Sequence, residues 1–265
     1  MKNLSIALIG SAICLLGTSK AAEAVSFINT SNGQLGTIES STGLFLPIET
    51  GAPAFFDIGI DSQNNFFGIT GGESIYRVDL STNTSSFIGS AGTFINGIGF
   101  DGTDVLYGTG GSGLYTIDLF TGAASLVSSI SGFSSSGDLA YDPRQDRFFA
   151  TSNAGNTDQL WSLEKDGTAT LIGDVGFNNV YGLLFEDGTL FGYTANRQQI
   201  SIDLTTGAGN FEGNVSGTTG SIFGAASSIS EPTSVPEPTA SLIAYGVVLG
   251  FGFLKHKLGK KPHSA

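Results

Sequence analysis

The side chains that carry most protein chemistry are scarce in this sequence. Cys14 is the only cysteine, and His256 and His263 are the only histidines, in 265 residues. All three stand near the chain ends, so the body between them has neither residue type. Ser-His-Asp and Cys-His catalysis need a histidine, and zinc sites draw on cysteine and histidine; both are excluded from the body. A disulfide is excluded as well. The body must therefore be held by its apolar core, and about 200 residues are enough to bury a large share of the chain's surface. Basic residues are also few. Between residues 25 and 230 there are 20 Asp plus Glu against five Lys plus Arg. Such a surface repels nucleic acid and anionic lipid.

Apolar runs occur only at the two ends. MKNLSIALIGSAICLLGTSKAAEA opens with Lys2, continues through an apolar run from Leu4 to Leu16, and closes on Ala22-Glu23-Ala24. This is the pattern of a secretory signal peptide over residues 1–24, cut after Ala24. The run is short for a membrane span, and Ile13 before Cys14 does not suit lipidation. Cys14 would leave with the cleaved peptide. At the other end, residues 239–254 are uncharged and mostly apolar, and Lys255, Lys257, Lys260 and Lys261 follow at once. Sixteen helical residues rise about 24 Å, somewhat less than a bilayer core of about 30 Å. Terminal lysines hold that end on the cytoplasmic side, so the body would face outward. Residues 230–238, rich in Ser and Pro, read as an extended linker.

The arrangement Val235-Pro236-Glu237-Pro238, short apolar helix, basic cluster resembles the PEP-CTERM sorting signal of Gram-negative bacteria. The resemblance covers about the last 30 residues; lysines and His256 stand where that family usually has arginines. It implies recognition by an exosortase, a membrane-embedded cysteine protease-transpeptidase. It also implies transient anchoring in the inner membrane, release to the cell surface or beyond, and association with extracellular polysaccharide. A plain C-terminal anchor is the alternative.

The body repeats. LGTIESSTG, IYRVDLSTN, LYTIDLFTG, LWSLEKDG and QISIDLTTG align on Glu39, Asp79, Asp118, Glu164 and Asp203, spaced 40, 39, 46 and 39 residues apart. A second motif keeps the same beat: FDIGID, NGIGFD, GDLAYD, YGLLFE and FGAAS. A third follows it four times, as NNFFGIT, VLYGTG, RFFATS and LFGYT, and is missing after Ser227. VSFINT, residues 25–30, resembles this third motif and precedes the first repeat. Each motif alternates in the strand manner. The D-x-x-T-G seam is hairpin chemistry: an Asp that accepts backbone N–H bonds, then Gly (Asn83 in one copy) in the left-handed position.

Four strands in about 40 residues is the sequence pattern of a propeller blade. The fold expected is all-β: a five-bladed β-propeller over residues 25–229, closed when the N-terminal strand completes the last blade. An open solenoid is the alternative. The repeats loosely resemble secreted bacterial propeller repeats reading L-Y-x-I-D-x-x-T-G, a likeness that carries fold and not function. GTGGSG, residues 108–113, matches a dinucleotide fingerprint on paper, but a strand follows it where a helix is required, so it reads as an inter-blade turn. Glycines in GIGFD and YGTG suit strands crowded at a central axis.

The five repeat acids have two readings. They hold turns, as do Asp61, Asp101, Asp142 and Glu186 at the ends of the second motif, or some of them bind Ca²⁺ through oxygen ligands. No other cofactor is implied. Trp161 occupies the slot of Tyr76 and Tyr115 and reads as packing. Arg144 and Arg147 are assigned to the longer loop of the 46-residue repeat. The function expected is an exported, non-enzymatic binding or structural component of the envelope or extracellular matrix. The alternative is a secreted carboxylate-based glycan hydrolase or lyase, for which the sequence does not single out a carboxylate pair.

Overall fold

The computed structural model describes residues 25–48, 51–71 and 73–228. The expected signal peptide (1–24), linker and V-P-E-P motif (230–238), and apolar helix with its lysines (239–265) lie outside the described residues. Those described form strands joined by turns. Three strands come first among the described residues: β1 (Ser26–Thr30), β2 (Leu35–Glu39) and β3 (Leu44–Ile48). The second blade is β4 (Asp57–Ile60), β5 (Phe66–Thr70), β6 (Ser74–Asp79) and β7 (Thr84–Ser90). The third is β8 (Gly97–Phe100), β9 (Leu106–Gly110), β10 (Gly113–Ile117) and β11 (Ala124–Ser129). The fourth is β12 (Ser135–Asp142), β13 (Arg147–Ser152), β14 (Gln159–Leu163) and β15 (Ala169–Asp174). The fifth is β16 (Val180–Glu186), β17 (Thr189–Thr194), β18 (Gln198–Ile202) and β19 (Gly209–Asn214), and β20 (Ile222–Ser227) follows.

Each blade is an antiparallel sheet in chain order, and the remaining one reads β20-β1-β2-β3. The orphan N-terminal strand thus pairs with the last strand of the ring. Ser26 faces Ser227, Phe27 faces Ala226, Ile28 faces Ala225 and Asn29 faces Gly224. Ser228 N–H donates to the Val25 carbonyl at 2.9 Å, and Ser31 N–H to that of Ser221 at 2.8 Å. This closes a five-bladed propeller. Closure removes the exposed first and last sheets that an open array would have to cap.

The apolar side chains form five layers, one between each pair of adjacent blades. Ile69, Ile98 and Ile117 fill one, Leu114, Phe148 and Trp161 the next. Leu160, Leu183 and Ile200 fill a third. β1 serves two layers at once: Ile28 packs with Phe45 and Tyr193, Phe27 with Phe55 and Phe66. Trp161 is buried and meets Phe133 edge-on, with ring centres 5.8 Å apart, as the packing reading requires.

The third-to-fourth-strand turns follow the D-x-x-T-G expectation where the acid is Asp. Asp79 Oδ1 accepts from Ser81 N–H and Thr82 N–H; Asp118 Oδ1 from Phe120 N–H and Thr121 N–H; Asp203 Oδ1 from Thr205 N–H and Thr206 N–H. Asn83 and Gly122 both take the left-handed conformation, at φ 55° and 76°. The two Glu copies differ. Glu39, one methylene longer, meets the Ser41 hydroxyl at 3.0 Å. The turn after Glu164 is one residue shorter; Asp166 takes the backbone bond from Thr168, and Glu164 pairs with Arg147 at 3.2 Å.

Three local expectations are corrected. Gly108–Gly113 is a hairpin inside the third blade, joining β9 to β10, and not an inter-blade turn. Gly110, at the end of β9, lies against the Phe94 carbonyl of the inter-blade connection, whereas Gly97 and Gly99 on β8 do face a neighbouring inner strand. Most of the extra length of the 46-residue repeat falls in residues 153–158, between β13 and β14, and not around Arg144 and Arg147.

Ring closure makes a direct prediction. Deleting residues 25–30 from the full chain removes a paired strand and takes Phe27 and Ile28 out of two cores. The cooperative thermal transition by circular dichroism is expected to vanish; a transition kept within a few degrees would contradict closure.

Candidate functional site at the propeller axis

Each innermost strand is the edge of its sheet, so it presents unpaired backbone groups toward the axis. A buried N–H without an acceptor is costly, on the order of 1–3 kcal/mol. Two aspartates supply the acceptors. Asp57 Oδ1 accepts from Ile58 N–H at 2.8 Å, and its Oδ2 from Ile98 N–H at 2.6 Å. Asp138 Oδ1 accepts from Leu139 N–H at 2.5 Å. Its Oδ2 accepts from Leu183 N–H at 2.6 Å and Ala225 N–H at 2.9 Å. The five donors come one each from β4, β8, β12, β16 and β20. Two side chains therefore tie all five blades together at the axis.

The two carboxyls are both fully buried, and each influences the other's titration. Burial is the largest cause raising both groups above the ordinary carboxylate range, and the charge of Asp138 raises Asp57 further. Five amide hydrogens thus share four oxygens.

The repeat makes room for this hub. At the second position of the inner-strand motif stand Asp57, Gly97, Asp138, Gly182 and Gly224. A Cβ on Gly224 would lie 2.1 Å from Asp57 Oδ1, and one on Gly97 would lie 1.8 Å from the Gly137 carbonyl oxygen. Two copies carry the carboxyl and three carry none, because there is space for two. On one side of the hub Phe56, Tyr181 and Phe223 pack edge-on, with Phe223 6.2 Å from each of the other two. On the other side a cavity of about 500 Å³ opens to solvent. Ile60, Phe100, Leu184 and Phe185 line it together with Asp101, Tyr141, Asp142, Arg144 and Asp187. That volume suits a small ligand.

The sequence-level candidates sit elsewhere. Glu39, Asp79, Asp118, Glu164 and Asp203 occupy five separate turns, one per blade, and are not brought together. No group of three or more His, Cys, Asp or Glu gathers as a cage among the described residues. Backbone and hydroxyl donors hold Asp79, Asp118 and Asp203 below the ordinary carboxylate range. Asp61 and Asp101 close the turns after the inner strands, each accepting two backbone N–H bonds. Asp142 accepts one, from Arg144. Asp57 and Asp138 were the residues to find. Their signal was present as the Asp/Gly alternation at one repeat position, and aligning on the turn acids draws attention away from it.

The hub gives stability a definite dependence on pH. A carboxyl whose folded pKa is raised holds a proton that the unfolded chain releases above about pH 4. Its contribution is complete below that value and is lost as pH rises toward the folded pKa. Stability, followed as the melting temperature, should therefore fall from pH 5 toward pH 8, by on the order of 1 kcal/mol per pH unit for one proton. Asp57→Asn, which cannot ionise, should flatten that dependence; an unchanged dependence would contradict a buried protonated carboxyl at this pair. Gly97→Ala should cost roughly 3 kcal/mol in a denaturant titration, because the inner strands would have to part.

Comparison with known proteins agrees with this architecture and adds no family. No family model matches the chain, and no curated protein matches it. Among solved structures, a chain of the nidogen/laminin complex is 10% identical at a TM-score of 0.56, covering 77% of this chain and 98% of that one. A Bacteroides thetaiotaomicron structural-genomics protein of unknown function is 14% identical at a TM-score of 0.51, covering 73% of this chain and 56% of that one. At such identities the likeness shows the fold alone: the chain is similar to these structures as an all-β propeller.

Proposed function

We propose that this protein is an exported, non-enzymatic propeller, a binding or structural component of the envelope or extracellular matrix associated with extracellular polysaccharide. In this reading an exosortase-type protease sorts and processes it through Val235-Pro236-Glu237-Pro238, after transient anchoring by the C-terminal apolar helix. The hub is the observation that carries the non-enzymatic part. A glycosidase needs one carboxyl free to protonate the leaving group and another open to water or substrate. The carboxyls that meet across this axis are buried and engaged by five amides. They hold the blades in register and face no open position. The sequence supports the export part through its two terminal signals, and the resemblance of the tail supports the polysaccharide partner.

Two measurements test the reading. Full-length protein should retain polysaccharides on an array and release no reducing ends from them. Sugar release abolished by a single Asp→Asn or Glu→Gln substitution would replace this reading with a carboxylate-based hydrolase. Changing Pro236, Glu237 and Pro238 together to Ala should leave export intact and block C-terminal processing. Mass spectrometry of the native secreted protein should find Lys260 to Ala265 removed; their presence would reduce the tail to a plain anchor.

A further inference from the structure

The axial cavity stands directly on the hub. Ile58, Ile98, Leu139, Leu183 and Ala225, whose N–H groups the two aspartates hold, all belong to its lining. Two residues further along the inner strands the repeat places Ile60, Phe100, Tyr141 and Phe185, one from each of four successive blades, and all four line the cavity. Three of the four are aromatic. Phe100 rests on Phe67, Tyr141 on Phe148 and Phe185 on Phe149, with ring centres 5.2, 5.2 and 5.6 Å apart. Those contacts brace the rings, and Tyr141 and Phe185 stay partly exposed.

The charge of the lining is negative. Asp101, Asp142 and Asp187 stand against Arg144, the one basic residue in the lining among the described residues. Asp101 and Asp142 are buried, so they act on an occupant through their field and not by contact. Lys165, outside the lining, is held by Asp146 at 2.7 Å and lies 3.7 Å from Asp101. Arg144 is already engaged across two blades. Its Nη2 donates to the Gly188 carbonyl at 2.9 Å, and its Nε lies 3.5 Å from Asp142 Oδ1. Asp187 differs from the other two acids. It sits on the tight Asp-Gly turn between β16 and β17, at φ 48° with Gly188 at 85°, and it is exposed. It is the carboxylate placed to touch an occupant. A cavity of this size with apolar walls admits a compact organic body. Ring faces attract a cation, and an accessible carboxylate gives it a direct partner. An anion would meet three carboxylates and one guanidinium that is already paired.

We infer that the axial cavity binds a small organic ammonium ion, its apolar body among Phe100, Tyr141 and Phe185 and its charge toward Asp187. This goes beyond the polysaccharide reading and stands without it. Isothermal titration of the full-length protein with benzyltrimethylammonium, benzylammonium, benzyl alcohol and benzoate tests it. The ammonium ions are expected to bind about fivefold or more tightly than the alcohol, and benzoate most weakly of all. Asp187→Asn keeps a residue suited to the left-handed turn position, so it should melt like the parent. It should weaken the ammonium ions about threefold or more and leave the alcohol unchanged. Phe185→Leu should weaken benzyltrimethylammonium by about the same factor. Amide shifts followed by NMR during the titration should centre on Gly59, Gly99 and Gly188, which line the cavity. Equal affinity for the alcohol and the ammonium ions, or a preference for benzoate, would overturn the cationic class. Shifts centred elsewhere, or ammonium binding untouched by both variants, would overturn the site. Failure of both ammonium ions to bind would overturn the proposal and leave the polysaccharide reading as it stands.

Discussion

Five edge strands meeting at one axis create a problem that the rest of this structure depends on solving. Each brings a backbone N–H to the axis, and none has a sheet partner on that side. Asp57 and Asp138 accept all five hydrogen bonds. Without such acceptors the buried amides would cost several kcal/mol in total, comparable with the whole stability of a domain. Inter-blade apolar layers supply the bulk of the driving force, but they do not say how many blades close the ring. The hub takes one donor from each of the five.

The glycines belong to the same solution. Gly97, Gly182 and Gly224 occupy the repeat position that Asp57 and Asp138 fill in the other two blades. A Cβ on Gly97 or Gly224 would collide with a neighbouring carbonyl or with the Asp57 carboxylate itself. The glycines bring the inner strands close, and the aspartates bridge what that closeness buries. Pairing of β1 with β20 then closes the ring, and Glu186 and Gln199 of the neighbouring blade clasp Ser40.

Much of the architecture could be read from residue order. The 40-residue beat, the strand alternation and the Asp-to-Gly turns were enough for five blades, and the missing third motif after Ser227 matched the orphan VSFINT at the start. Turn chemistry is local, so Asp79, Asp118 and Asp203 behave as their sequence implies. Glu39 and Glu164 do not, because a methylene or a turn length changes what their carboxylates reach. The hub was harder to see for a physical reason. Its residues lie in five strands, and their meaning comes from convergence at an axis that no local pattern specifies. The same holds for Gln199, whose partner Ser40 is 159 residues away in sequence.

The central claim is that one hydrogen-bonded cluster holds all five blades as a unit. Amide hydrogen exchange of Ile58, Ile98, Leu139, Leu183 and Ala225 tests it most directly, followed residue by residue by NMR. A shared hub predicts that all five exchange at one common, slow rate, equal in free energy to global unfolding. Rates scattered from blade to blade, with some amides opening well below the global value, would contradict it.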